Sequence, residues 1–134
     1  MNRDDFCEKG KSIFEVAILF PILILLLMGG MNLGRAYYAT VALNDAAEEG
    51  AMYAAIDPEN LTEIQNRAVH ASSGLITFET NNVARVPSNG FTAGAPVTVT
   101  VTYDFELYTP IIQTFVGSGA IALRGQAVNA IITP

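Results

Sequence analysis

The chain carries one carboxylate where a carboxylate is costly. Glu15 stands five residues after Gly10 in Gly10-Lys11-Ser12-Ile13-Phe14-Glu15, and the apolar run that begins at Ile13 continues to Leu33 with only Glu15 and Asn32 strongly polar. Within hydrocarbon a carboxylate is disfavoured by roughly 2.5–3.5 kcal/mol at mid-membrane and by less near an end. The chemistry open to Glu15 is therefore charge pairing: it snorkels to the interface, or it meets a specific positive partner. Other reactive groups are sparse. The single histidine, His70, falls in a helical pattern and reads as a surface or packing residue rather than a catalyst. Asp57, Glu59 and Glu63 crowd a helix start, where acids are favourable, and lack the glycine and remaining ligands of a calcium loop. The only cysteine, Cys7, precedes the apolar run, whereas a lipoprotein cysteine follows its own. No Cys-His, HExxH, Walker-type or paired-glycine phosphate motif is present. We expect no enzymatic activity, no metal and no cofactor.

The element that carries Glu15 is long. As a helix, the 21 residues from Ile13 to Leu33 extend about 31 Å, enough to cross a bilayer once. Arg3, Lys9 and Lys11 flank the run on its N-terminal side and Arg35 alone on the other before Arg67, which predicts a cytoplasmic N-terminus. A secretory signal peptide is the rival reading, but its apolar core is about 7–15 residues and ends at a small-x-small site. Here the run is longer, holds Pro21 near its middle and leads into Gly34-Arg35-Ala36-Tyr37-Tyr38. Tyr37 and Tyr38 fall where an interfacial aromatic belt belongs. Pro21 removes a backbone donor and should kink or loosen the helix around Ala17. The expected location is the inner (cytoplasmic) membrane, in a single pass in contact with lipid.

Beyond the span lies room for one modest domain, stabilised by packing because no disulfide framework exists. The formal net charge is -6, which argues against nucleic-acid binding. Gly30 and Gly34 form a GxxxG pair, a surface that lets helices approach closely in lipid. Ala47, Ala51 and Ala55 make one further small-residue row and Ala46, Gly50 and Ala54 another. These outer rows suit either contact between subunits or packing on the protein's own sheet. Asp57 is the expected cap of a second helix, with Pro58 at its first position; Leu61, Ile64, Ala68 and Ala71 form its apolar side and Gly74 its end. Val97, Val99, Val101, Tyr103 and Phe105 then alternate with polar residues, predicting a half-buried strand. A weaker strand is expected near Asn82 to Val86, before the loop Pro87-Ser88-Asn89-Gly90. A short helix is expected from Thr109-Pro110 to Gly117. The last strand, about Ala120 to Thr133, slips phase near Gly125 and suggests a bulge.

Gly10, Glu15, Val16-Ala17-Ile18-Leu19-Phe20-Pro21, Asn32-Leu33-Gly34-Arg35-Ala36 and the alanine-rich stretch from Leu43 to Ala55 together resemble the start of a type IV pilin-like precursor. The closest likeness is to the TadE-like minor pilins or pseudopilins of tight-adherence (Flp) systems, over about the first 55 residues. This chain departs from the family pattern in having Glu48 and Met52 where arginines are often found. The resemblance implies that a prepilin peptidase cuts between Gly10 and Lys11 and that the new amine is methylated. Loss of residues 1–10 would remove two positive and three negative groups and leave a net charge of -5. An α-amine with a reference pKa of about 7.7–8.0 is mostly cationic at neutral pH and would lie at the depth of a neighbour's Glu15. Paired, each offsets part of the other's desolvation.

The resulting expectation is an α+β protein: a leader over residues 1–10, a pilin-like transmembrane and assembly helix over 11–56, and an extracytoplasmic domain over 57–134. That domain should hold a three-stranded antiparallel sheet and one or two short helices. Gly10 and Lys11 would serve processing, and Glu15, Pro21, Gly30 and Gly34 assembly. The partners implied are the prepilin peptidase, other pilin-like subunits of the same or different kind, and the pilus assembly machinery. The pilus would serve adherence or secretion, and assembly would carry the protein outside the cell. By the same resemblance the main subunit is much shorter, so size points to a minor role. Two other readings stay open: an uncleaved, membrane-anchored binding module of an envelope or secretion complex, and a small secreted domain released by signal peptidase beyond about Gly34.

Overall fold

A computed structural model describes residues 3–72, 76–87, 90–107, 117 and 119–133, with side chains from Ile13 onward. Its backbone is organised by one helix, α1 (Arg3–Ile56), whose 54 residues correspond to about 81 Å of length. Helix α2 (Leu61–Ala71) follows, then a 3-10 turn (Thr80–Asn82) and strands β1 (Val83–Val86), β2 (Pro96–Glu106) and β3 (Ala120–Ala130). The strands pair antiparallel in the order β1-β2-β3. The expected α+β architecture is thus present, with a long apolar helix, a short one and a three-stranded sheet.

The alternating residues of β2 set the core. Val97, Val99, Val101 and Phe105 are buried against the outer half of α1, which contributes Ala39, Ala42, Leu43, Ala46, Ala47, Ala51, Ala54 and Ala55. Both alanine rows are therefore spent inside the molecule, which decides between their two readings. Gly50 sits where three elements meet: a Cβ there would lie 3.1 Å from Val99 Cγ1 and 3.5 Å from Ala68 Cβ. Of the apolar positions predicted for α2, Ile64 and Ala68 are buried, while Leu61 and Ala71 are exposed.

Asp57 is not the cap of α2. Its amide donates to the Tyr53 carbonyl at 3.0 Å, so it closes α1, and the side-chain Oδ1 of Asn60 accepts from the Glu63 amide at 3.2 Å instead. Pro58 is consequently a buried bend residue rather than the first residue of the helix. The C-terminal segment satisfies carbonyls at the end of α1 that have no partner within the helix: Ile132 N–H donates to Ala55 at 2.7 Å and the Thr133 hydroxyl donates to Ile56. The weak strand is shorter than expected, because Asn82 belongs to the 3-10 turn, where its side chain accepts from the Glu79 amide at 3.3 Å.

β3 contains no bulge. Its register with β2 runs unbroken from Pro96↔Ala130 to Glu106↔Ala120, and Gly125, opposite Val101, holds its place in the inward phase. The apparent slip arises because the inward residue at that point has no side chain. A Cβ on Gly125 would lie 2.3 Å from the Leu43 carbonyl oxygen and 2.8 Å from the Asn44 amide nitrogen. The helix backbone itself occupies the space. Gly74, the helix predicted from Thr109 to Gly117 except for Gly117 itself, and Ser88-Asn89 of the predicted loop lie outside the described residues.

Gly125→Ala should destabilise the domain by about 1–3 kcal/mol, the usual cost of forcing atoms into a packed interface. Urea titration in detergent, followed by tyrosine fluorescence, measures this. Gly34→Ala, where a Cβ meets nothing within 4 Å, should cause no loss.

Candidate assembly surface

Apart from the buried Asn32, the inner part of α1 is not covered by the domain. Among the described residues, every large apolar side chain from Ile13 to Leu33 is exposed, fifteen in all, including Leu33 at 73% and Ile13 at 71%. The most apolar window of the helix has a mean hydropathy of 2.5 and none of it is buried. Withdrawing one such side chain from water is worth about 1.5–3 kcal/mol, so the set together amounts to tens of kcal/mol. A small domain's whole stability is about 5–15 kcal/mol. A rod this apolar needs lipid or other helices around it, and its length is compatible with a single-pass membrane protein.

The residues predicted from sequence all fall along this rod. Gly10 and Lys11 lie in the backbone of α1 near its start, and Glu15 follows one helical turn after Lys11, exposed among Phe14, Val16 and Ile18. Helix α1 is uninterrupted at Pro21, where the ring removes the amide that would donate to Ala17. Gly30 and Gly34 have open space where a side chain would stand.

Helical phase places the glycine pair away from the domain. At 3.6 residues per turn Gly30 is about 180° from Ala39, and Gly34 about 160° from Gly50. Since Ala39 and Gly50 face the core, the glycine notch lies on the opposite side of the rod. The same outward stripe continues through Tyr37 and Val41 to Asp45, Glu48 and Met52, all exposed. A second helix can approach the notch without meeting the sheet.

Two arginines of the domain are engaged locally. Arg67 pairs with Glu63 at 3.3 Å and Glu49 at 3.6 Å and stacks 4.5 Å from the Tyr53 ring. Arg85 donates to the Pro58 carbonyl and lies 4.6 Å from the Phe91 ring; desolvation lowers its pKa from the ordinary arginine value, and Glu59 opposes that shift. His70 is exposed on α2. Among the described residues no group of three or more His, Cys, Asp or Glu could hold a metal ion.

A family model described as TadE-like protein matches residues 10–52. The chain is similar to TadE-like proteins over that segment, which begins at Gly10 and covers most of α1. No curated protein and no solved structure matches the chain. The match supports a pilus-associated, pilin-like protein in general terms and leaves the sheet without a counterpart.

Gly34→Leu should fill the notch and weaken association of the rods while leaving the fold of the domain intact. The check is cysteine crosslinking of copies carrying Leu33→Cys in membranes, expected to fall about fivefold, a loss of roughly 1 kcal/mol of packing, at an unchanged denaturation midpoint.

Proposed function

We propose that this chain is a pilin-like structural subunit, a minor pilin or pseudopilin, that is cut by a prepilin peptidase between Gly10 and Lys11 and assembles through α1 in a pilus for adherence or secretion. It carries out no reaction of its own. The observation that bears most of the weight is the bare apolar rod with one carboxylate near its start, joined to a TadE-like match that begins at the glycine five residues earlier. A static anchor accounts for the apolar residues but gives Glu15 no reason to follow a glycine at that interval.

The mechanism follows from charge and depth. In the membrane, Glu15 lies near the cytoplasmic edge, and the outer domain lies on the far side. Cutting after Gly10 creates a cationic amine four residues before Glu15, at nearly the same depth as the Glu15 of an adjacent copy. In low dielectric the two attract strongly, and each alone is costly to desolvate. Pairing between copies offset along their axes would set a fixed stagger. The Gly30/Gly34 notch, open and facing away from the sheet, admits the neighbouring rod.

Mass spectrometry of the protein from membranes should find Lys11 as the N-terminal residue, and Gly10→Ala should leave the leader attached. An intact leader in the wild type would instead favour an uncleaved anchor. With processing unchanged, Glu15→Gln should lower the amount of this polypeptide in sheared surface filaments at least about tenfold, because it leaves a desolvated amine without its partner. Normal filament content in that variant would remove the electrostatic basis of assembly.

A further inference from the structure

One side of the last strand is open. Odd-numbered residues turn their backbone groups toward β2: the Ile131 amide donates to the Ala95 carbonyl at 2.9 Å, and the Ile131 carbonyl accepts from the Gly94 amide at 2.8 Å. Successive residues of a strand direct these groups to opposite sides, so Arg124, Gln126 and Val128 present theirs to the free edge. The Ile132 amide follows the same alternation, donating to Ala55 of α1 rather than toward β2. Ala130 covers its own outward amide with Asn129 Oδ1 at 3.1 Å. Among the described residues the sheet has no fourth strand. The connection from β2 leaves and returns at the other end of β3, where the Leu107 amide donates to the Gly119 carbonyl at 3.0 Å.

An open edge is a template for another extended chain, and edges that stay open are blunted by proline, lysine, a bulge or brevity. β3 has none of these. It runs eleven residues in unbroken register, and Val128 beside the edge is 60% exposed. The edge of β1 differs: that strand has four residues, and its Val83 carbonyl accepts from Gln65 Nε2 at 3.1 Å. Arg124, the one charged residue of β3, lies on the outer face opposite Thr102. Its guanidinium donates to the Thr100 hydroxyl at 3.5 Å, away from Asp104 on the other diagonal, and among the described residues it has no ion-pair partner. The direction of β3 limits what can pair with it. Gly125 lies at Leu43 and Ile132 at Ala55, so β3 ascends with α1. Copies anchored by α1 in one membrane point β3 the same way, which bars antiparallel pairing of two β3 edges. Parallel pairing of those edges would put the two helices on opposite faces of the joined sheet, with their glycine notches turned apart.

We propose that the β3 edge from Arg124 to Ala130 takes up an extended segment of a different polypeptide, antiparallel to β3 and carrying a carboxylate beside Arg124. The backbone of Arg124, Gln126 and Val128 supplies the hydrogen bonds, and Arg124 selects an acid among the side chains on the outer face. Antiparallel pairing is the more stable choice per residue. The exclusion of a second copy rests on α1 crossing the membrane, whereas the edge itself is independent of cleavage after Gly10 and of pairing at Glu15. A joint of this kind holds a partner on the outer domain while the rod stays available for its own contacts.

The test uses the full chain in detergent and a fluorescent peptide of alternating valine and threonine in which one central threonine is replaced by aspartate, against the same peptide with lysine there. Anisotropy should show the aspartate peptide binding about fivefold more tightly, the scale of one exposed ion pair, and hydrogen exchange at the Arg124, Gln126 and Val128 amides should slow. Gln126→Pro removes an outward amide that β2 does not use. It should leave the circular dichroism spectrum unchanged and weaken the peptide about tenfold, through one lost hydrogen bond and a ring in its path. Arg124→Glu, which alters no backbone group, should reverse the preference between the two peptides and reads the site even where proline disturbs the fold. No binding by wild type, equal binding of both peptides, or undiminished binding by folded Gln126→Pro would overturn the site. In membranes, Gln126→Cys should give no more disulfide dimer than wild type, whose only cysteine is Cys7. An excess of dimer would assign the edge to a second copy and overturn the proposal equally.

Discussion

A helix can lie against a sheet only as closely as the side chains between them allow. Here that separation approaches its lower limit: the Leu43 carbonyl stands where the Cβ of any residue but glycine at position 125 would be. The alanines of α1 around Leu43 share the same short reach, so the helix backbone, and not a layer of long side chains, forms one wall of the core. Two consequences follow. The domain stays compact although its stabilising face is built mostly from residues with one carbon of side chain. The contact also leaves little freedom to rotate the helix about its axis, since turning it would drive a larger residue into the sheet.

That fixed rotation is what ties the domain to the rod. Because α1 is one helix from Arg3 to Ile56, orientation set at Leu43 is transmitted down its axis, and the phase of Gly30 and Gly34 relative to the sheet follows. The notch faces away from the domain for that reason. A neighbouring rod entering it runs outward along a stripe that changes from glycine to tyrosine and then to Asp45 and Glu48. In the proposed assembly, packing would be close within lipid and the acidic side chains of the outer level would remain in water, which would confine the stabilising contacts between copies to the apolar half of the helix.

Much of this was readable from periodicity. The 2-residue alternation of Val97 to Phe105 and the 21-residue apolar run have few competing interpretations, because each buries or exposes a whole face at once. Failures came where one local signal had two physical explanations. Asp57-Pro58-Glu59 has the composition of a helix start, yet the Asp57 amide was still bonded to the preceding helix, and Asn60 took the cap. Gly125 looked like a bulge because a missing side chain interrupts alternation whether the backbone deviates or a neighbour fills the gap. The alanine rows carried no mark of which partner they would meet. Glu15 and the glycine pair stand out in the sequence because they break a uniform stretch, and the structure leaves all three exposed. The free edge of β3 does not, since which of its backbone groups point away from the sheet is set only by its register with β2.

Separating these two interfaces along one helix has a physical logic. A subunit that passes from membrane to filament exchanges lipid for protein around its apolar half, and that exchange is easier when the folded domain has no stake in it. In this chain the core begins at Ala39 and the bare rod ends at Leu33, so few residues belong to both. Changing the surroundings of the rod leaves the packing of Leu43, Gly50 and Gly125 untouched. The TadE-like match covers the rod together with the first, alanine-rich wall of the core and stops at Met52, before the α2 and sheet residues that complete it. Any sheet that tolerates a close helix backbone could be mounted on such a segment, which would leave the outer face of this one, with Thr98 and Thr102, free to differ without cost to assembly.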